Sequence, residues 1–294
     1  MKDEDEDDGG TVAERLEAEF RRLTRAERQL AASLLENYPV SGLRAITAVA
    51  RDAGVSTPTV ARLVQKLGYP GFGAFQEALR RELAARIQNP LDKLGAHGPA
   101  ATETRPLERI AKAAVTNMRQ TLARTDHDAF EEACRLLADP ARRILTVGGR
   151  FTGTLAGYLA RHLQVTRPGV TDLGGDPNLW PQALLDLEAG DILVVFDIRR
   201  YQRRLGRLAE AAAAEGAHVI LFTDQWGSPI SAIAGHRFHA RIEAPSAWDS
   251  GIALMLLVEA VIARVQELVG EDAVARIDRL EALFRDTRTF GRED

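Results

Sequence analysis

The sequence predicts two domains: an all-α domain over residues 11–88, then an α/β three-layer domain with a mostly parallel sheet over 107–294. Three observations predict it. Up to residue 88, apolar residues recur at helical spacing and no alternating run interrupts them. From Arg142 onward, short β-rich runs alternate with amphipathic stretches, the pattern of βαβ units with helices on both faces of a parallel sheet. A length of 294 residues exceeds one ordinary core and suits two.

Residues 1–10 (MKDEDEDDGG) hold one lysine and six acids, the reverse of a secretory signal, and are expected to be a disordered, solvated tail. Residues 89–106 contain three prolines without sustained periodicity and read as a linker. Two helices are expected at 107–123 and 127–138. Strands are expected at 144–149, 191–196, 218–223 and, less distinctly, 236–242, with helices at 155–165 and 205–215 between them. The chain returns to helix from 252 to about 283. Its apolar run 252–263 is interrupted by Glu259 and is too short for the roughly 20 residues of a membrane span, so it reads as a buried helix and a candidate subunit interface.

One cysteine, Cys134, forms no internal disulfide and no cysteine-rich metal site, which fits a reducing cytoplasm. Neither a metal nor a cofactor is expected. The net charge of −4 hides a split: positions 21–86 hold eleven Arg or Lys against five Asp or Glu. A locally basic segment in an acidic chain points to a local anionic partner such as DNA, or to a solvated surface that happens to be basic.

The stretch ITAVARDAGVSTPTVARLVQKL (46–67) decides between these. Ala50 is small where a second helix must cross closely, and Gly54, four residues on, supplies a tight turn. Val55 plugs the corner, Ser56 caps the next helix, and Pro58 is tolerated in its first turn. Val60, Leu63, Val64 and Leu67 form a buried stripe, which leaves Thr57, Thr59, Ala61, Arg62, Gln65 and Lys66 facing outward. This is a helix-turn-helix. Thr57, Thr59 and Arg62 are its candidates for base contacts in the major groove of a double-stranded DNA operator, and Ser56, Gln65 and Lys66 its candidates for phosphate contacts.

Residues 20 to about 88 resemble the N-terminal domain of RpiR-type regulators in three motifs that occur in order: LT-x-x-E-R at 23–28, GVS-x-x-TV-x-R at 54–62 and KLGY-x-GF at 66–72. Phe72 and Phe75 are expected to pin the last helix of this domain.

In the second domain, ILTVGGRFTGTLAGYLARHL reads as strand, glycine loop and helix. Gly148 and Gly149 allow a sharp turn, and the following helix N-terminus, with Arg150, Thr152 and Thr154, offers donors to an anion at the carboxyl ends of the strands. Such a loop also arises for geometry alone. Further pocket candidates are Thr223, Asp224 and Asp249. Ser246 and Ser250 either line the pocket or cap the long helix. Asp176, Asn178 and Trp180 sit on a glycine-rich loop placed to cover it.

Residues 107 to about 283 resemble a sugar isomerase (SIS) domain through the first glycine loop, GD-x-L-V-V-F (190–196), EGAHVILFTD (215–224), Ser228 and Pro229. The resemblance implies a small anionic effector of the phosphosugar kind. One departure qualifies it: sugar-binding members carry a serine-rich turn after the second of these strands, where this chain has Asp197, Arg199, Arg200 and Tyr201. Arginine suits bidentate binding of a carboxylate or phosphate, but Arg200 can equally pair with Asp197 or with an interface carboxylate. No spacing among Glu188, Glu215, His162, His218, His236 and His239 assembles a base for isomerisation. The expectation is therefore an effector-controlled DNA-binding homodimer or homotetramer with no membrane partner. The alternatives are a SIS-like domain that only dimerises and a sugar-phosphate isomerase.

Overall fold

The computed structural model describes residues 10–87, 89–96 and 105–290; the acidic tail expected at 1–10 lies almost wholly outside them. The chain divides into two compact units, Met1–Asn89 and Pro90–Asp294.

The first unit is helical: α1 (Val12–Glu19), α2 (Arg25–Glu36), α3 (Ile46–Asp52), α4 (Thr57–Lys66) and α5 (Phe72–Ile87). Thr11 and Thr24 open α1 and α2 with capping boxes closed by Glu14 and Glu27. One apolar core joins Leu16, Leu30, Leu34, Val49, Val60, Leu63 and Phe75 across all five helices. Phe75 packs 5.7 Å edge-on from Tyr69 and 5.8 Å from Phe72, and so pins α5 as expected.

The second unit begins with α6 (Pro90–Ala96), then α7 (Pro106–Arg124) and α8 (His127–Ala138). The segment read as a linker thus contains a helix. The α/β body follows: β1 (Ile144–Gly148), α9 (Gly153–Thr166), β2 (Val170–Asp172), α10 (Trp180–Leu184), β3 (Ile192–Asp197), α11 (Arg203–Ala214), β4 (His218–Asp224), β5 (His236–Ala240), α12 (Ile252–Val269) and α13 (Glu271–Asp286). The sheet order is β2-β1-β3-β4-β5, parallel throughout. The expected four strands are present. The fifth, β2, is three residues long with one buried side chain, too short to show a period.

Alternation along the strands splits the core into two layers. Leu145, Val147, Leu193, Val195, Val219 and Leu221 pack with α11 and Trp180, while α9, α12 and α8 cover the other face. Trp180 donates to the Gly174 carbonyl and is buried in the first of these layers. It is core, and does not cover a site. The apolar face of α12 (Leu254, Leu257, Val258, Val261, Val265) is likewise buried against α8 and α9.

Candidate functional site

In the first unit the turn between α3 and α4 closes on the Val55 amide, which donates to the Ala50 carbonyl at 2.9 Å. Gly54 has φ 64°, a left-handed conformation that a side chain would strain. Ser56 is extended and its hydroxyl accepts the Thr59 amide, capping α4. Arg62 and Gln65 are exposed, and Thr57 is half-buried at the first turn.

Thr59 corrects the expectation. It is 6 % exposed, and its hydroxyl bonds the Ser56 hydroxyl at 2.9 Å. Four residues before Leu63, it extends the inner stripe of α4 rather than the outer face. Lys66 is exposed, but its ammonium pairs with Glu27 at 2.7 Å. Burial pushes the Glu27 pKa up, yet hydrogen bonds from Lys66 and Thr24 outweigh it and hold the carboxyl below its ordinary value.

In the second unit, the loops after β1, β3, β4 and β5 meet at the carboxyl edge of the sheet. Gly148 is required by close approach: a Cβ there would lie 2.6 Å from backbone atoms of Thr152 and Gly153. Thr152 was expected to offer its hydroxyl to a ligand. It is instead buried, donating to the Phe196 carbonyl at 2.7 Å and accepting the Gly149 amide at 2.8 Å, which ties the glycine loop to β3. The Thr154 hydroxyl turns back to the Phe151 carbonyl. Arg150 is exposed, its guanidinium 4.4 Å over Phe151 and 5.8 Å from Trp248, two rings that meet edge-on.

The turn after β3 is organised by two buried carboxylates. Asp197 accepts the Ser228 hydroxyl at 2.6 Å and the Gln202 amide. Burial raises its pKa to about 6, and nearby Asp224 adds to the effect. Asp224, its pKa also raised by burial, accepts the Arg199 and Trp226 amides and the Tyr201 hydroxyl. Asp197 therefore faces into the protein, not into the cleft as expected. Thr223 is buried too, its hydroxyl donating to the Asp197 carbonyl. Arg200 is exposed at φ 64°, on the outside of the turn.

Arg199 is the member of this turn whose side chain packs among the loops at the carboxyl edge of the sheet. Its side chain is 5 % exposed, stacks 4.3 Å over Trp226, and places Nε 3.4 Å from Asp249 Oδ2. The other oxygen of Asp249 receives the Lys93 ammonium from α6. Ser250, one residue before the N-cap Gly251, accepts the Ile252 amide at 3.3 Å, and Ser246 closes a local turn with the Trp248 amide. The Asp176 carboxylate accepts the backbone and side-chain amides of Asn178 in a loop turn, and its carbonyl accepts the Leu179 amide. Sequence reasoning missed Lys93 and Trp226. Lys93 lay in a segment whose composition reads as linker, and no local pattern marks a tryptophan that will lie under an arginine 27 positions earlier. Among the described residues no group of His, Cys, Asp and Glu is placed to hold a metal, and no helix is long and apolar enough to cross a membrane.

Comparison with known proteins agrees with both halves. Residues 10–86 match the helix-turn-helix domain of the rpiR family, and residues 137–264 match the SIS domain. An HTH-type transcriptional regulator of Clostridium perfringens is 21% identical over 285 residues, covering 94% of this chain and 99% of that protein. The sugar isomerase domain of the RpiR transcription factor from Sphaerobacter thermophilus aligns with TM-score 0.56 at 24% identity, over 61% of this chain and 99% of that one. The Vibrio vulnificus NanR protein, solved in complex with ManNAc-6P, aligns with TM-score 0.55 at 18% identity, over 96% of this chain and all of that one.

Proposed function

The chain belongs, by its two domains together, to the RpiR-type helix-turn-helix transcription regulators, and from that premise we propose that a small anionic effector at the carboxyl edge of the SIS sheet sets its affinity for DNA. The observation that carries this reading is Arg199, a buried guanidinium whose Nε and Nη1 have no hydrogen-bond partner among the described residues. Unmatched buried donors are rare in folded proteins and mark places where a ligand oxygen completes the set. NanR, of the same fold, was solved with a phosphosugar, which makes sugar phosphates the first class to try.

The regulator acts as a homodimer or homotetramer. Two copies of α4 enter successive major grooves about 34 Å apart. Thr57 and Arg62 read bases, while Ser56, Gln65 and Lys66 hold phosphates, with Lys66 exchanging part of its contact to Glu27. Catalysis has no place in this reading. The carboxylates Asp197 and Asp224 are bound to their loops' own donors, and Asp249 is paired with Lys93 and Arg199, rather than presented as bases.

The test is thermal unfolding of the full chain with sugar phosphates (N-acetylmannosamine 6-phosphate among them), their unphosphorylated forms, and small carboxylic acids. A ligand at 100 times its Kd stabilises the folded state by about 2.7 kcal/mol, an upward shift of roughly 2–4 °C per kcal/mol. A shift with a sugar phosphate and none with its plain sugar supports the proposal. No shift with any anion removes the effector and leaves a domain that only dimerises.

A further inference from the structure

Helix α7 is amphipathic in the wrong sense for a helix that only covers its own sheet. The face it turns to β5 and α12 carries small and polar side chains, Ala114, Asn117 and Thr121. Two of these are tied to the chain after β5: Asn117 donates to the Glu243 carbonyl at 2.7 Å, and the Thr121 hydroxyl accepts the Arg241 amide at 2.9 Å. The large aliphatic residues lie elsewhere. Leu107, Val115 and Leu122 are 79, 42 and 46 % exposed, Ala111 is exposed and Met118 half-buried. The five recur at spacings of four, four, three and four residues, one continuous stripe about 22 Å long. A monomer gains nothing by placing such a stripe in water, and contiguous exposed apolar surface marks an association site.

The pattern of the stripe and the charges beside it identify what covers it. The stripe reads alike from both ends: laid antiparallel on a second copy about its midpoint, Leu107 meets Leu122, the small Ala111 meets the long Met118, and Val115 meets itself. At about 100° per residue, Glu108 and Arg119 fall within about 20° of each other, on the flank of the stripe away from the buried face. Both are exposed, and neither has an ion-pair partner among the described residues. An antiparallel pair lays charged flank on charged flank and brings Glu108 of each copy beside Arg119 of the other. A parallel pair sets the charged flank against the flank that is buried inside its own subunit, and matches neither charge. Resting on the homo-oligomer proposed above, we infer that α7 is its two-fold interface: two copies pack antiparallel through Leu107, Ala111, Val115, Met118 and Leu122, with Glu108 paired to Arg119 across the seam. The partner this surface fits is a second copy of this chain.

The experiment uses the full-length protein. Its mass in solution is followed by sedimentation at micromolar concentration, with the tryptophan unfolding transition as the control for folding. Val115→Glu with Leu122→Glu is expected to halve the mass and leave a cooperative transition in place. Glu108→Arg alone is expected to weaken association on the order of tenfold, since two opposed pairs become two like-charge contacts, and Glu108→Arg with Arg119→Glu to restore it. Because two new acids on one helix could also unfold it, a gentler pair tests the geometry. Under oxidation Val115→Cys, which sits at the two-fold, should give a crosslinked dimer, whereas Leu107→Cys, about 22 Å from its mate, should not. The native Cys134 is buried and takes no part. If the wild type is an oligomer whose mass the two acids leave unchanged, if the charge exchange fails to restore association, or if Leu107→Cys crosslinks as readily as Val115→Cys, the inference falls and the homo-oligomer stands. If the wild type is a monomer, both fall together, and the effector reading is decided separately by its own ligands.

Discussion

Asp197 makes the stability of the second unit depend on pH in a direction opposite to most salt-bridged carboxylates. Its folded pKa is raised by burial from 3.8 to about 6, so the folded state holds this proton more tightly than the unfolded chain does. Stability from this group is present at low pH and is lost as pH rises between those two values. The full penalty, reached above pH 7, is about 3 kcal/mol, from roughly two pKa units at 1.36 kcal/mol each. At pH 5 about half of it has already appeared. The wild type should therefore lose about a further 1.4 kcal/mol between pH 5 and pH 8 through this group alone. Asp197→Asn keeps an oxygen able to accept the Gln202 amide and cannot ionise. Any constant cost from its altered bond to Ser228 cancels when two pH values are compared. The assay is urea unfolding followed by tryptophan fluorescence, which reports the second unit because all three tryptophans, Trp180, Trp226 and Trp248, lie there. The variant-minus-wild-type difference should move in the variant's favour by about 1.4 kcal/mol from pH 5 to pH 8, a tenfold change in the folding equilibrium. A difference that is flat with pH, or that moves against the variant, refutes the argument that Asp197 is held in a desolvated site.

Arg62→Ala should weaken operator binding by about 1–3 kcal/mol and relax specificity at one base position, measured on duplexes selected from a random pool and their single-base variants; a uniform loss across sequences would make Arg62 a phosphate contact. Lys66→Met leaves the buried Glu27 carboxylate short of its partner and should destabilise the first unit by about 1–3 kcal/mol, seen as faster amide exchange over Thr57–Lys66 with no change in the tryptophan transition. Because the Glu27 pKa is lowered in the fold, its contribution is present above its unfolded value and lost as pH falls through the folded one; Lys66→Met should blunt this acid sensitivity, and a variant equally sensitive to acid would show that Lys66 does not hold the carboxylate. Arg167 is 1 % exposed and donates to the carbonyls of Leu137, Asp139, Arg142 and Pro168. Arg167→Met should cost about 3–5 kcal/mol in the tryptophan-detected transition, the range for breaking a buried charged network, and a loss below about 1 kcal/mol would mean that water replaces it freely.

What was legible in the sequence was whatever short-range chemistry enforces. The turn at Gly54, the cap at Ser56 and the stripe through Leu63 lie within a dozen residues of one another, and each is required by backbone geometry. Thr59 went astray because the outer face of α4 was reached by subtracting a four-residue stripe, while an inner face also reaches one turn back from Leu63. In the helical tail the first helix was legible over 252–269, where Gly270, with φ 63°, separates α12 from α13. α6 was invisible for another reason. It is seven residues long and lies in a proline- and glycine-rich stretch. Helices that short are marginal by themselves, and this one is held by a contact between Lys93 and Asp249, 156 positions apart, which no local pattern encodes.

The turn after β3 shows why a departure from a family's motif does not by itself abolish a site. Hydroxyls and free amides in such a turn hold an anion through the backbone. Here Asp197 and Asp224 accept the amides of Arg199, Gln202 and Trp226, so that way of binding is closed from within. The same bonds fix the backbone on either side of Arg199 and stack its guanidinium on Trp226, which holds a cation in place with little rotamer freedom left to lose on binding. Under the effector reading proposed above, side-chain charge takes the place of backbone donors. A backbone cradle is indifferent to what lies in the chain between the domains, whereas a guanidinium that shares its carboxylate with Lys93 is not. The turn that stands in place of the serines is thus also the one whose Arg199 meets the same carboxylate, Asp249, as Lys93 of α6.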